Sequence, residues 1–172
     1  MTPRIVLTER VEGSFARRSK TPAHVAPGAP SVLIATADPD IREAMRDLLE
    51  AAGVNAIWVS GVNELKTLVA TERIAACLCG FWLQDGTYRE VIRHLRKGGV
   101  NVPAIIVAPP ACPQEYGEYL AAVNLGALDF LCYPYQQAEL ENLLEAAIGP
   151  RRRAAALNEV PTSVDYRDRG AA

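Results

Sequence analysis

The chain has 172 residues, 49% of them hydrophobic and 22% charged, with a formal net charge of −2 and an isoelectric point near 5.7. That balance offers no bulk attraction for nucleic acid or an anionic membrane surface, and no stretch reaches the roughly 18 apolar residues that a membrane-crossing helix needs. A core of about 120 residues buries roughly two thirds of its unfolded surface, so folding requires neither disulfides nor metal. The opening stretch MTPRIVLTERVEGSFARRSK lacks the apolar segment of a secretory signal, and a cytoplasmic location is expected.

Residues 1–30 mix charge with Pro, Gly, Ala and Ser and hold no sustained periodicity, which predicts a flexible N-terminal arm. From Ser31 short apolar runs alternate with amphipathic stretches. Val32 to Ala35 reads as the first strand. Asp38 then caps a helix with Pro39 at its first position, and Ile41, Met45, Leu48, Leu49 and Ala52 make one apolar stripe before Gly53 stops it. Ala56 to Val59 is the second strand, and Val62, Leu65, Leu68 and Val69 stripe the second helix. Ala75 to Gly80 is the third strand; Tyr88, Val91, Ile92 and Leu95 mark a third helix closed by Lys97-Gly98-Gly99. Ala104 to Val107 is the fourth strand. Tyr116, Tyr119, Leu120 and Val123 suggest a fourth helix, against which Gly117 counts by about 1 kcal/mol relative to Ala. Phe130 to Cys132 is the fifth strand, and Leu140, Leu143, Leu144, Ala147 and Ile148 form a fifth helix that Gly149-Pro150 is expected to stop. The domain is thus expected over residues 31–149, with a flexible tail over 150–172.

The strands are nearly continuous in apolar character, as in parallel sheets buried on both faces. Five strands alternating with five helices define a doubly wound α/β three-layer sandwich, and the flavodoxin-like strand order 2-1-3-4-5 fits best. In such sheets the functional crevice lies beyond the carboxyl ends of the strands. The residues placed there are Thr36, Ala37, Asp38, Gly80, Ala108 and Tyr133. Cys77, Cys79, Cys112 and Cys132 read as reduced thiols. Cys77 and Cys79 share one strand face and lack the wider ligand spacing of structural zinc sites, so buried, inert thiols are expected; Cys112 and Cys132 are also compatible with a redox pair.

The stretches SVLIATADPDIREAMRDLLEAAG, FWLQDG, Val102 to Ile106 and GALDFLCYPYQQAELENLL follow one another at the separations found in receiver (CheY-like) domains of two-component response regulators, and the chain resembles that family over residues 31–149. The resemblance implies where a receiver's reactive groups would stand. Its two metal-holding acids match Thr36 and Ala37, its phosphoacceptor aspartate matches Gly80, its strand-4 hydroxyl matches Ala108, and its lysine matches Tyr133. Mg²⁺ needs oxygen ligands, usually including a carboxylate. Thr36 supplies a neutral hydroxyl and Ala37 none, while Gly80 has no nucleophile. Tyr133 supplies no cation to pair with phosphate. A degenerate receiver, without metal, cofactor or catalytic residue, is the expectation, and the chain is not expected to be an enzyme.

Asp38 and Asp85 are the nearby carboxylates; a helix cap and loop chemistry explain them better than a metal role does. Tyr133-Pro134 matches the family's cis junction. Phe130 matches the family's switching aromatic, and with no phosphate to sense it reads more readily as a packed core ring. The resemblance points to a protein partner or a homodimer held through the face of the fourth helix, fifth strand and fifth helix, with Tyr116, Tyr119, Phe130 and Tyr135 as candidate contacts. An alternative is a small-molecule or nucleotide-binding flavodoxin-like domain, although TADPDIR carries no phosphate-cradling glycine. His24 and His94 read as surface residues. Arg17-Arg18-Ser19-Lys20 and Arg151-Arg152-Arg153 read as solvated flanks, and no direct nucleic-acid contact is expected.

Overall fold

The computed structural model describes residues 28–97, 100–110 and 115–158, the last eight and Glu115 by backbone alone. The expected arm and tail therefore lie largely outside the described residues. In chain order the elements are β1 (Ser31–Ala35), α1 (Pro39–Ala51), β2 (Asn55–Val59), α2 (Val62–Thr71), β3 (Ala76–Gly80), β4 (Trp82–Leu83), β5 (Gly86–Thr87), α3 (Tyr88–Arg96), β6 (Ala104–Val107), α4 (Glu115–Leu125), β7 (Asp129–Leu131) and α5 (Gln137–Asn158). The five long strands pair in parallel in the order β2-β1-β3-β6-β7, which is the expected 2-1-3-4-5 arrangement.

Alternation along each strand divides the core between two layers. Leu33, Cys77, Cys79 and Ile106 point to the side covered by α2, α3 and α4, where they meet Leu65, Val91, Ile92, Leu95 and Ala122. Val32, Ile34, Leu78, Ile105 and Leu131 point to the other side, against Ile41, Met45 and Leu49 of α1 and Leu140 and Leu144 of α5. Every residue of the central β3 is buried. At roughly 1.5–3 kcal/mol for each fully buried Leu or Ile, this two-sided burial is the main favourable term holding the fold.

Local chemistry sets the helix starts. Asp38 accepts from the backbone N–H groups of Asp40 (2.9 Å) and Ile41 (3.4 Å), as its place before Pro39 predicts. Thr87 and Glu90 form a capping box for α3. Gly61, at the start of α2, has no side chain to offer, and Asp85 supplies the cap from a distant part of the chain by accepting from Val62 N and from Asn63 N (3.0 Å).

Two features depart from the sequence reading. The loop after β3 contains a short antiparallel pair, β4 with β5, too brief for alternation to reveal. Its turn delivers Asp85 to α2, so that residue is a long-range cap rather than simple loop chemistry. Second, α5 runs through Pro150 to Asn158 instead of stopping at Gly149-Pro150. Proline disfavours helical conformation in the residue before it partly through a clash with that residue's Cβ. Gly149 has none, which removes that part of the cost. α4 also forms across Gly117, whose missing side chain faces open space.

Candidate functional site

The carboxyl ends of β1, β3, β6 and β7 place Thr36, Gly80, Ala108 and Tyr133 along one edge of the sheet, as the strand order requires. At the centre, Gly80 is buried and Thr36 is fully enclosed. A Cβ built on Gly80 would stand 2.8 Å from Thr36 Oγ1 and 3.2 Å from Thr36 Cβ, closer than a side chain there tolerates. The threonine thus occupies the space into which a side chain at position 80 would grow. Its hydroxyl is engaged too, accepting from Asp38 N at 3.1 Å. Thr36 N donates to Val59 O (3.0 Å), and Ala37 N donates to Trp82 O (3.2 Å), which ties the hairpin to the end of β1.

The nearby carboxylates hold helix N-termini. Asp38 caps α1, and Asp85 caps α2 with both oxygens. Backbone hydrogen bonds from Asn63 and Val62 hold the Asp85 carboxyl below its ordinary range, because they favour the charged form. Sequence reasoning missed one cation beside the crevice. Arg42 donates through Nη2 to Thr36 O (3.2 Å) and Ser60 Oγ (3.0 Å), and its guanidinium lies 5.4 Å from the Trp58 ring centre. Its signal in the sequence was faint, since it sits among ordinary polar positions of α1.

At the β6–β7 side, Ala108 is buried and its carbonyl accepts from Tyr135 OH at 2.6 Å. Burial, with smaller contributions from Asp38, Tyr133 and Cys132, pushes the Tyr135 phenol up to about 12. Tyr133 packs edge-on against Tyr135, with ring centres 5.5 Å apart, and remains 57% exposed. The Tyr133-Pro134 bond is cis, as expected. Cys77 and Cys79 are buried; burial raises the Cys77 thiol to about 12 and pushes Cys79 up as well, consistent with inert core thiols. Cys132 is half-buried, and Cys112 lies outside the described residues.

The four candidate contact residues separate. Tyr116 is 74% exposed on the first turn of α4. Tyr119 is half-buried and meets Phe130 edge-on at 5.4 Å, while Phe130 itself is only 4% exposed and also touches Phe81. Phe130 is therefore a core ring and not a contact residue, because β7 turns it inward toward α4. Tyr135 is half-buried and bonded as described. Of the apolar stripe read for the fourth helix, Tyr116, Leu120 and Val123 face solvent and not the core, with Leu128 beyond the helix end also exposed. Glu118 binds the opposite side of α4 to α3, accepting from Tyr88 OH and from Arg89 Nη2 (2.9 Å). Trp82 is 68% exposed on β4 at the crevice rim. His94, expected at the surface, is half-buried, and His24 lies outside the described residues.

The strand order and the two helical layers define a flavodoxin-like fold of the CheY type. Over 125 residues the chain is 30% identical to the KDP operon transcriptional regulatory protein KdpE of Escherichia coli (strain K12), an alignment taking in 73% of this chain and 53% of KdpE. The chain thus spans about half the length of that curated relative. A response regulator receiver domain protein from Clostridium thermocellum superposes with a TM-score of 0.63 at 17% identity, covering 73% of this chain and 98% of the other. The receiver domain of sensor histidine kinase PA1611 from Pseudomonas aeruginosa PAO1, solved with magnesium coordinated in its active-site cleft, gives 0.61 at 21% identity, with 70% and 98% covered. No family model matches the chain. These likenesses favour the receiver reading over the small-molecule or nucleotide-binding alternative. Among the described residues, no helix is long and apolar enough to cross a membrane.

Proposed function

We propose that this chain is a receiver-like domain of two-component or phosphorelay-type signalling that works in the cytoplasm by binding a protein partner, or a second copy, without aspartyl phosphorylation. The observation that carries this reading is the contact between Thr36 and Gly80. Phosphoryl transfer to a receiver needs a carboxylate nucleophile and a metal held beside it. Here the position of the nucleophile is a glycine whose side-chain space a threonine hydroxyl fills. Asp38 and Asp85, the nearest carboxylates in the sequence reading, are engaged as helix caps.

The surface that remains for function is the face of α4, β7 and α5. Tyr116, Leu120 and Val123 expose apolar area that folding leaves unburied, and Leu128 adds to it. Tyrosine in such a patch is a common energetic anchor of protein interfaces. The domain therefore acts as a docking module and not as an enzyme.

Two measurements test the reading together. Incubation of the purified chain with radiolabelled acetyl phosphate and Mg²⁺ is expected to leave no base- and hydroxylamine-labile acyl phosphate on the protein. Affinity capture from the source cells is expected to recover a specific protein with the intact chain and lose it with Tyr116→Ala combined with Leu120→Ser. A stoichiometric acyl phosphate, or capture that ignores the α4 substitutions, refutes the proposal.

A further inference from the structure

The outer ridge of α1 is mainly acidic and that of α3 is basic. On α1, Ile41, Met45 and Leu49 face the sheet, which turns Asp40, Glu43, Arg46, Asp47 and Glu50 outward; all five are exposed, and four are acids. On α3 the buried residues are Tyr88, Val91, Ile92 and Leu95. At about 100° per residue, Arg89, Arg93, Arg96 and Lys97 then fall along one side of that helix. Arg93, Arg96 and Lys97 are exposed and Arg89 is half-buried. Neighbours hold part of this row in place: Arg89 pairs with Glu118 at 2.9 Å, and the Arg96 side chain lies in the space that a Cβ on Gly126 would otherwise enter. The acid on α3, Glu90, is taken up by the capping box with Thr87.

The ridges match in register as well as sign. Arg89, Arg93 and Arg96 are separated by four and then three residues, and Asp47, Glu43 and Asp40, read in the reverse direction, follow the same intervals. Each row spans about 10.5 Å at 1.5 Å per residue. α1 packs on one face of the sheet and α3 on the other, so the ridges of one molecule face away from each other and cannot pair within it.

We infer that the occupant of the α3 ridge is the α1 ridge of a second copy of this chain, laid antiparallel, with Arg89 opposite Asp47, Arg93 opposite Glu43 and Arg96 opposite Asp40. The two surfaces differ and point in opposite directions, so the contact is head-to-tail. Each added copy leaves one acidic and one basic ridge open, and the assembly grows as an open chain of subunits instead of closing as a two-fold dimer. Exposed ion pairs are individually weak and are screened by salt, which makes the association reversible and sensitive to ionic strength. This contact is separate from the α4 face and does not depend on it.

Sedimentation velocity of the intact chain tests the inference, because the Debye length shrinks from about 30 Å at 0.01 M salt to about 3 Å at 1 M. At low salt the average sedimentation coefficient is expected to rise with concentration without reaching a dimer plateau, and at high salt to return to the monomer value. Arg93→Glu with Arg96→Glu should abolish the rise, as should Asp40→Arg with Glu43→Arg. Mixing the two variants in equal amounts should restore it, since each then meets a complementary ridge, a rescue that misfolding would not allow. A chain that stays monomeric at low salt, variants that still assemble, or a mixture that stays monomeric overturns the inference. So does assembly that is lost with Leu120→Ser but kept in the α3 variant, which would assign the contact to α4.

Discussion

The crevice and the α4 face have opposite characters in this chain. In the crevice, the described polar groups point inward to one another: Thr36 to Asp38, Arg42 to Thr36 and Ser60, Tyr135 to Ala108. On α4, Tyr116, Leu120 and Val123 are held out to solvent. Hydrogen-bonding capacity satisfied internally has little left for a ligand, whereas exposed apolar area gains free energy when it is covered. That contrast is what the proposed docking role of the α4 face rests on.

Restoring a carboxylate is the strongest way to break that contrast. Gly80→Asp must displace Thr36 and place a charge at a buried position, and it is expected to lower stability by about 2 kcal/mol or more, measured by urea unfolding. Adding Thr36→Ala should recover part of the loss by removing the atom at 2.8 Å. A Gly80→Asp protein as stable as the parent would show that the crevice is not filled.

The α4 face gives the next effect. Tyr116→Ala with Leu120→Ser should weaken partner binding at least tenfold, about 1.4 kcal/mol, while unfolding free energy stays within about 0.5 kcal/mol, as for other surface changes. Equal losses of binding and stability would place these residues in the fold instead.

Tyr135→Phe sharpens the crevice side. It leaves the buried Ala108 carbonyl without its 2.6 Å donor and should cost about 1–2 kcal/mol. The native state favours the neutral phenol, so its stabilising contribution is complete below the ordinary tyrosine value of about 10. It is lost as pH rises through about 12. Spectrophotometric titration should show a late-ionising tyrosine that disappears in Tyr135→Phe.

The smallest effect concerns the hairpin. The Asp85 carboxyl is held below its ordinary range, so its contribution is present above that range and fades as pH falls through the lowered value. Asp85→Asn should flatten the acid limb of the stability profile followed by circular dichroism. An unchanged acid limb would mean that the α2 cap does not stabilise the native state.

Much of this was open to reading along the chain because it is local. Asp38-Pro39 announces α1, Gly53 ends it with a positive φ, and continuous apolar runs announce buried strands. The crevice residues could be named because strand ends in a doubly wound sheet converge at one edge. The exposed face of α4 was only half legible. Tyr116 and Tyr119 are three residues apart and look alike in sequence, yet one is exposed and the other packs on Phe130, a difference set by which side of α4 faces β7.

Sequence by itself determined the five long strands, the helices between them and the lack of a side chain at Gly80, since these follow from residue type and short-range periodicity, and the crossover rule then fixed the sheet order. Tertiary structure alone decided that Thr36 fills the vacated space, that Asp85 caps a helix more than twenty residues away, and that Phe130 is interior. It also decided that α5 passes Pro150. The first three are contacts between segments far apart in the chain, and their distances exist only once the layers have packed. The last is a balance between one lost backbone bond and a preceding glycine without a Cβ, which residue identity poses and the folded backbone resolves.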